Sequence, residues 1–277
     1  MTSAADLPPG SAISLITYTA SPAAGADVLC RLPGTIGLSA VLTPHGGEDA
    51  PEGSLLALLV PTESDAGVRP DEGDELAAVR AWVDAPHDEP TAMMTTLQGV
   101  RIFWTRQRFA VLATPDRLRK VAGSIAEVTY YENELVAIEA ALGEAWPQME
   151  ADVPLAFEFE AMLPEQRHAL RARFQAVVLL SARMARIGPA VHCPHIHPPT
   201  LASQVNERMR ERLQMPHRHE LVGEQVEHFE SVYEQCGQRA SEFELAAKGH
   251  TLEKIIIALL LAQLVLWGFD ILTTLGG

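Results

Sequence analysis

The sequence predicts an α+β protein: a small N-terminal α/β head, a helical body and one C-terminal transmembrane helix. Three observations carry this reading. Short apolar runs separated by Gly, Pro and acidic residues fill residues 1–113. From residue 114 onward apolar residues recur at three- and four-residue steps, the period of one helical face. The run 255–275 carries a single charge, Asp270. The divisions that follow are an acidic α/β region over 1–113, a helical region over 114–250 and an anchor over 251–277.

In the first region, "SAISLITYTA" (11–20) and "SLLALLVP" (54–61) read as strands, the second stopped by Pro61. "LTPHGGEDAPEG" (42–53) and "PTESDAGVRPDEGDE" (61–75) read as loops. "VRIFWTRQRFAVLA" (100–113) reads as a hairpin around Thr105 to Arg108, because aromatic and β-branched residues suit a pleated, half-buried surface. Thr114 is then a candidate N-cap, with Pro115 at the first helical position and Asp116 in the first turn. Leu118, Val121, Ile125, Val128, Leu135, Ile138 and Leu142 form the apolar face of that helix, and Gly143 is its expected stop. A second helix spans 163–189 and is expected to close at Gly188-Pro189. A third covers 201–215. A fourth runs from about His217 into the anchor, with a break expected at Gly249.

The anchor is argued from length. Residues 255–269 have Gln263 as their one polar side chain, and fifteen residues are too few to cross a bilayer. Extending to Leu275 gives 21 residues, which reach roughly 30 Å as a helix, the thickness of the hydrocarbon layer. Asp270 must then lie near the far interface. Lys248 and Lys254 flank the near side and no base follows, so the positive-inside rule predicts a single-pass protein of the inner (cytoplasmic) membrane with its N-terminal domain in the cytoplasm. The other reading of this run is a buried core helix.

The net charge of −15 is uneven. Residues 1–100 hold 14 acids and 3 bases, whereas 101–200 balance at 11 each. Such an acidic first third repels phosphate backbones, so nucleic acid is excluded as a partner. Cys30, Cys193 and Cys236 are odd in number and widely spaced, which fits a reducing compartment better than a disulfide framework. The N-terminus has no base ahead of its apolar stretch and does not read as a signal peptide.

Chemistry is suggested mainly by "VHCPHIHPPT" (191–200). A transition-metal site needs three or four N, S or O ligands converging near 2.0–2.3 Å, by general coordination geometry. In extended backbone Cys193, His195 and His197 share a face, and the prolines at 194, 198 and 199 favour that backbone. His192 adjoins them, and "PHRHE" adds His217 and His219 after the next helix. The candidate metal set is therefore His192, Cys193, His195, His197, His217 and His219, with zinc or another transition metal as the ion. Against it stands the absence of CxxC or HExxH spacing, which leaves the loop as a helix junction with histidines bonded to carbonyls. On that reading no cofactor is expected.

Other constellations are weaker. Glu165 and His168 form one Glu-x-x-His pair where a carboxylate-bridged di-metal bundle needs two. Glu132 and Glu139 share a helical face and read as solvated. Arg208, Arg210 and Arg212 interleave with Glu207 and Glu211 and are expected to pair with them. No P-loop, dinucleotide-type glycine motif or GxSxG elbow occurs, so no catalytic residue is assigned.

The last fifty residues, "SVYEQCGQRASEFELAAKG" followed by "TLEKIIIALLLAQLVLW" with Leu252-Glu253 at the junction, resemble the RMD1/RMND1 (YagE-like) family of membrane-anchored proteins. There a tyrosine- and arginine-containing helix leads through a leucine–glutamate pair into a terminal hydrophobic helix, and "RIFWTRQRFAVLA" is loosely similar to that family's aromatic strands. The resemblance implies a membrane-anchored oligomer without established catalysis, and it carries over no site residue. The expected function is thus a non-enzymatic, tail-anchored scaffold or regulator acting through protein–protein contacts, as a homo-oligomer or with a membrane-protein partner, beside the lipid bilayer itself. The alternatives are a membrane-anchored metal-binding hydrolase or sensor, and an accessory subunit of a membrane complex.

Overall fold

The computed structural model describes residues 7–47, 50–51, 53–62, 73–85, 93–157, 164–192 and 200–275. The protein is mixed α+β, with a seven-stranded sheet, a helical body and a long apolar C-terminal helix. The chain divides into two compact units. One comprises residues 1–140 with 183–222, the other 141–182 with 223–277.

The sheet belongs to the first unit. Its strands are β1 (Ala12–Thr19), β2 (Asp27–Arg31), β3 (Ser39–Pro44), β4 (Leu55–Pro61), β5 (Met93–Leu97), β6 (Val100–Trp104) and β7 (Arg108–Ala113), in the spatial order β2-β3-β1-β4-β7-β6-β5. Two antiparallel blocks meet at one parallel pair, β4 with β7, where Leu58 lies opposite Ala110. The connection between those strands carries α1 (Gly73–Asp84). Alternation assigns the two faces. Leu56, Leu58, Val60, Phe103, Ala110 and Leu112 pack with Val79, Trp82 and Val83 of α1. The opposite face meets α2 (Pro115–Asp152): the Tyr18 hydroxyl donates to the Ala126 carbonyl at 2.7 Å and the Trp104 indole donates to Thr129 Oγ1 at 2.8 Å. With both faces covered, β4 can be almost wholly apolar. At the sheet edge the register shifts between Val28 and Cys30, and a Cβ added at Gly123 of α2 would lie 3.1 Å from the Leu29 carbonyl oxygen. A glycine that costs helix propensity here permits close approach to the bulged edge strand.

The hairpins follow local rules. β6 and β7 form the expected hairpin around Thr105 to Arg108. β5 and β6 are joined by Gln98 and Gly99, both at positive φ (48° and 82°), as a two-residue hairpin turn requires. β2, β3, β5 and α1 have no counterpart among the elements expected from the sequence. These elements are short and lie among Gly-, Pro- and acid-rich stretches, and β3 reaches Pro44 inside what reads as the loop 42–53.

Three helices run further than their breakers suggest. α2 passes Gly143 and Pro147 to end at Asp152, because Leu142 and Met149, seven residues apart, are both buried on its second-unit face. Helix α3 (Pro164–His192) passes Gly188-Pro189, carrying Val191 into the core while Arg210 Nη1 donates to the Ala190 carbonyl at 2.6 Å. Helix α4 (Leu201–Arg212) opens with a capping box between Thr200 and Ser203. Helix α5 (Met215–Leu275) is continuous through Gly249, and its 61 residues reach about 90 Å at 1.5 Å per residue. Pro216 sits in its first turn, where no intrahelical N–H is lost.

Between α4 and α5 a single residue, Gln214, adopts φ 51°, and its N–H donates to the Glu211 carbonyl. A left-handed conformation costs a side-chain-bearing residue roughly 1–2 kcal/mol that glycine avoids, part of which returns through the freer unfolded chain. Gln214→Gly is therefore expected to raise stability by about 0.5–1 kcal/mol, read as a higher urea midpoint; an unchanged or lower midpoint would contradict it.

Candidate functional site

In the first unit the end of α3 and the start of α5 bring two of the six candidate ligands together. His192 Nε2 lies 3.1 Å from His219 Nδ1, with the rings nearly perpendicular at 83°. His219 Nε2 lies 3.1 Å from the Met184 carbonyl oxygen. A carbonyl only accepts, so Nε2 of His219 carries its proton and Nδ1 is the bare nitrogen in the neutral ring. His192 Nε2–H is then the donor to it. Gly188 makes room for this: a Cβ there would stand 3.3 Å from His219 Cε1 and Nε2. His192 is exposed and His219 half-buried, so solvent reaches the pair.

His217 is exposed. Two positions before His219 on the same helix, it projects about 200° away around the axis and does not join the pair. Cys193, His195 and His197 lie outside the described residues. Among the described residues no group of three or more His, Cys, Asp or Glu side chains is placed to hold an ion.

The shared face of Glu132 and Glu139 is not solvated as the sequence suggests. Arg218, between the two histidines of "PHRHE", reaches back to α2. Its Nη1 donates to Glu132 Oε1 and Oε2 at 2.8 and 2.9 Å, its Nη2 to Glu139 Oε2 at 2.6 Å and its Nε to Glu139 Oε1 at 2.9 Å. Glu132 is 4% exposed. Burial pushes its carboxyl above the ordinary glutamate range despite the guanidinium beside it, and the charge of Glu139 adds to the rise. On α4 the expected pairing holds for Arg208 with Glu211 at 3.3 Å. Arg210 serves Ala190 instead, and Arg212 Nη1 reaches Thr95 Oγ1 at 3.0 Å and the Met94 carbonyl.

The second unit has its own polar hub. Asp152, 4% exposed at the end of α2, accepts from Arg173 Nη1 through both oxygens at 2.8 and 2.6 Å, from Gln148 Nε2 at 3.2 Å and from the Tyr233 hydroxyl at 3.3 Å. Cys236 Sγ contacts the Asp152 carbonyl at 3.7 Å. Burial, then the Asp152 charge, pushes the Tyr233 hydroxyl up to about 12 and the Cys236 thiol upward. In the first unit, burial and the nearby Glu127 push the Cys30 thiol up to about 12. Both thiols stay protonated at neutral pH, which makes them poor nucleophiles and poor metal ligands.

Beyond this hub, α5 loses its packing. Every side chain from Thr251 to Trp267 is exposed, among them Ile255, Ile256, Ile257, Leu259, Leu260, Leu261, Leu264, Val265 and Leu266. Among the described residues this is the one helix long and apolar enough to cross a membrane. Compared with known protein families the sequence matches none, and no curated protein is similar to it.

Proposed function

We propose that the protein is a tail-anchored, single-pass protein of the inner (cytoplasmic) membrane, with its N-terminal domain on the cytoplasmic side, and that it acts as a non-enzymatic scaffold or regulator through protein–protein contacts. The observation that carries this is the uncovered apolar stretch of α5. Burying a single large aliphatic side chain is worth about 1.5–3 kcal/mol, and nine of them stand exposed between Ile255 and Leu266. A patch of that size calls for lipid or protein to cover it, and the 21-residue run 255–275, helical throughout, has the length to cross a bilayer. Lys248 and Lys254 precede it, which supports a cytoplasmic N-terminal domain by the positive-inside rule. The resemblance of the last fifty residues to the YagE-like family points the same way.

Partner contacts are supported from two sides. On α3 the second unit exposes Val178 and Leu179, the latter 65% exposed. Within the apolar stretch Gln263 presents an amide, and amides in hydrocarbon hydrogen-bond between helices. The partner is a second copy or another membrane protein, which crosslinking in intact membranes would reveal; a span that crosslinks to nothing contradicts this part.

Deleting residues 251–277 is expected to move the protein from the membrane pellet to the soluble fraction with its far-UV helical signal retained. A truncated form that aggregates while the intact chain does not would show that the last segment is core, and the anchor would be wrong.

A further inference from the structure

The pairing of His192 with His219 goes beyond a scaffold. We infer that these two side chains form a two-nitrogen site for a divalent transition metal ion of the zinc and copper class, built between the ends of α3 and α5.

Distance supports the inference first. Two imidazole nitrogens bound to one ion at about 2.0–2.1 Å stand roughly 3.3 Å apart at a tetrahedral angle and roughly 2.9 Å apart at a right angle. The observed 3.1 Å lies between these values, so an ion can replace the shared proton once the His192 ring turns to aim its lone pair at it. The second support is the state of His219. Its Nε2–H is spent on the Met184 carbonyl at 3.1 Å, which leaves Nδ1 as a bare lone pair, the arrangement by which a backbone carbonyl orients a metal-bound histidine. Gly188 supplies the third, since the ring occupies space that a side chain there would contest. His219 is thus held and poised, while His192, exposed at the end of its helix, is free to turn.

Binding balances simply. The Nε2 proton of His192 moves to its own Nδ1 through solvent, both rings stay neutral and no net proton is released. The cations nearby are engaged elsewhere: Arg183 on Glu134, Arg186 on the Thr35 and Ile36 carbonyls, Arg210 on Ala190 and Arg218 on Glu132 and Glu139. His192 is exposed, so water can supply further ligands.

The test uses the full chain in detergent, titrated with Zn2+ by equilibrium dialysis and with Cu2+ followed by electron paramagnetic resonance. One ion per chain is expected, with nitrogen hyperfine splitting from two imidazoles. His192→Ala and His219→Ala should each weaken binding at least about tenfold and reduce the nitrogen count, whereas a Cys193→Ser/His195→Ala/His197→Ala variant should keep the two-nitrogen signal. Because His219 is half-buried, His192→Gln with an unchanged far-UV melt serves as the second variant. Wild-type-like binding by either His192 variant overturns the inference, as does an intact chain that binds neither ion. The membrane reading is independent of both outcomes, since it is tested by fractionation.

Discussion

Replacing Arg218 with methionine is expected to cost about 3–5 kcal/mol at pH 7, the range seen when one partner is removed from a buried ion pair. The side chain of Glu139 is 32% exposed and can turn to solvent, but that of Glu132 is 5% exposed and cannot. The sign of the pH dependence follows from the direction of the Glu132 shift. Its carboxyl already titrates above the ordinary value in the folded chain, and loss of the guanidinium moves it further up. A folded pKa above the unfolded one gives a contribution that is complete below the unfolded value and lost as pH rises through the folded one. The variant should therefore be most handicapped at neutral pH and recover part of its deficit on acidification to pH 5. Urea midpoints of the detergent-solubilised chain at pH 5 and 7 test this directly, and a Glu132→Gln/Arg218→Met pair should lose less than the single variant at pH 7. A deficit below about 1 kcal/mol, of the size typical for exposed pairs, and flat with pH would show the bridge to be a surface pair.

Asp152→Ala is the counterpart in the second unit, with an expected loss of about 3 kcal/mol from breaking a buried charged network. Arg173, whose side chain is 34% exposed, can find water. Tyr233, at 5%, is left with a buried hydroxyl that no longer has its carboxylate. Since part of the loss belongs to that stranded hydroxyl, Asp152→Ala/Tyr233→Phe should be less destabilised than the sum of its single variants. Strict additivity in the cycle would show that Tyr233 and Asp152 do not share the hub.

What could be read beforehand was what local periodicity encodes. The terminal apolar run, the apolar face from Leu118 to Leu142 and the aromatic hairpin of β6 and β7 each declare themselves within one continuous stretch of 14 to 25 residues. Helix ends were less legible. Gly143 and Gly188-Pro189 are sound local stop signals, but Met149 and Val191 lie beyond them and are buried, and burial outweighs propensity. The polar networks were hardest. Nothing around Glu132 announces Arg218, 86 residues later, and nothing around Asp152 announces Tyr233. "PHRHE" reads as a source of histidine ligands, and nothing in it marks Arg218 as the partner of Glu132 and Glu139. That His219 would meet His192, while His217 turns away, depended on the helix register at the start of α5.

The single parallel pairing at the centre of the sheet also bears on how the chain is assembled as it is made. β1, β3 and β4 can zip up from neighbouring sequence, whereas the other side of β4 waits for β7, after residues 62–107 have been synthesised. During that interval "LLALLV" presents an unpaired edge that is apolar on both faces, the kind of surface that recruits other chains. Pairing that spans long stretches of sequence is also slow to form. The vulnerable moment of this protein therefore falls midway through its first unit, and slowing translation between β4 and β7 should raise aggregation more than slowing it anywhere after β7.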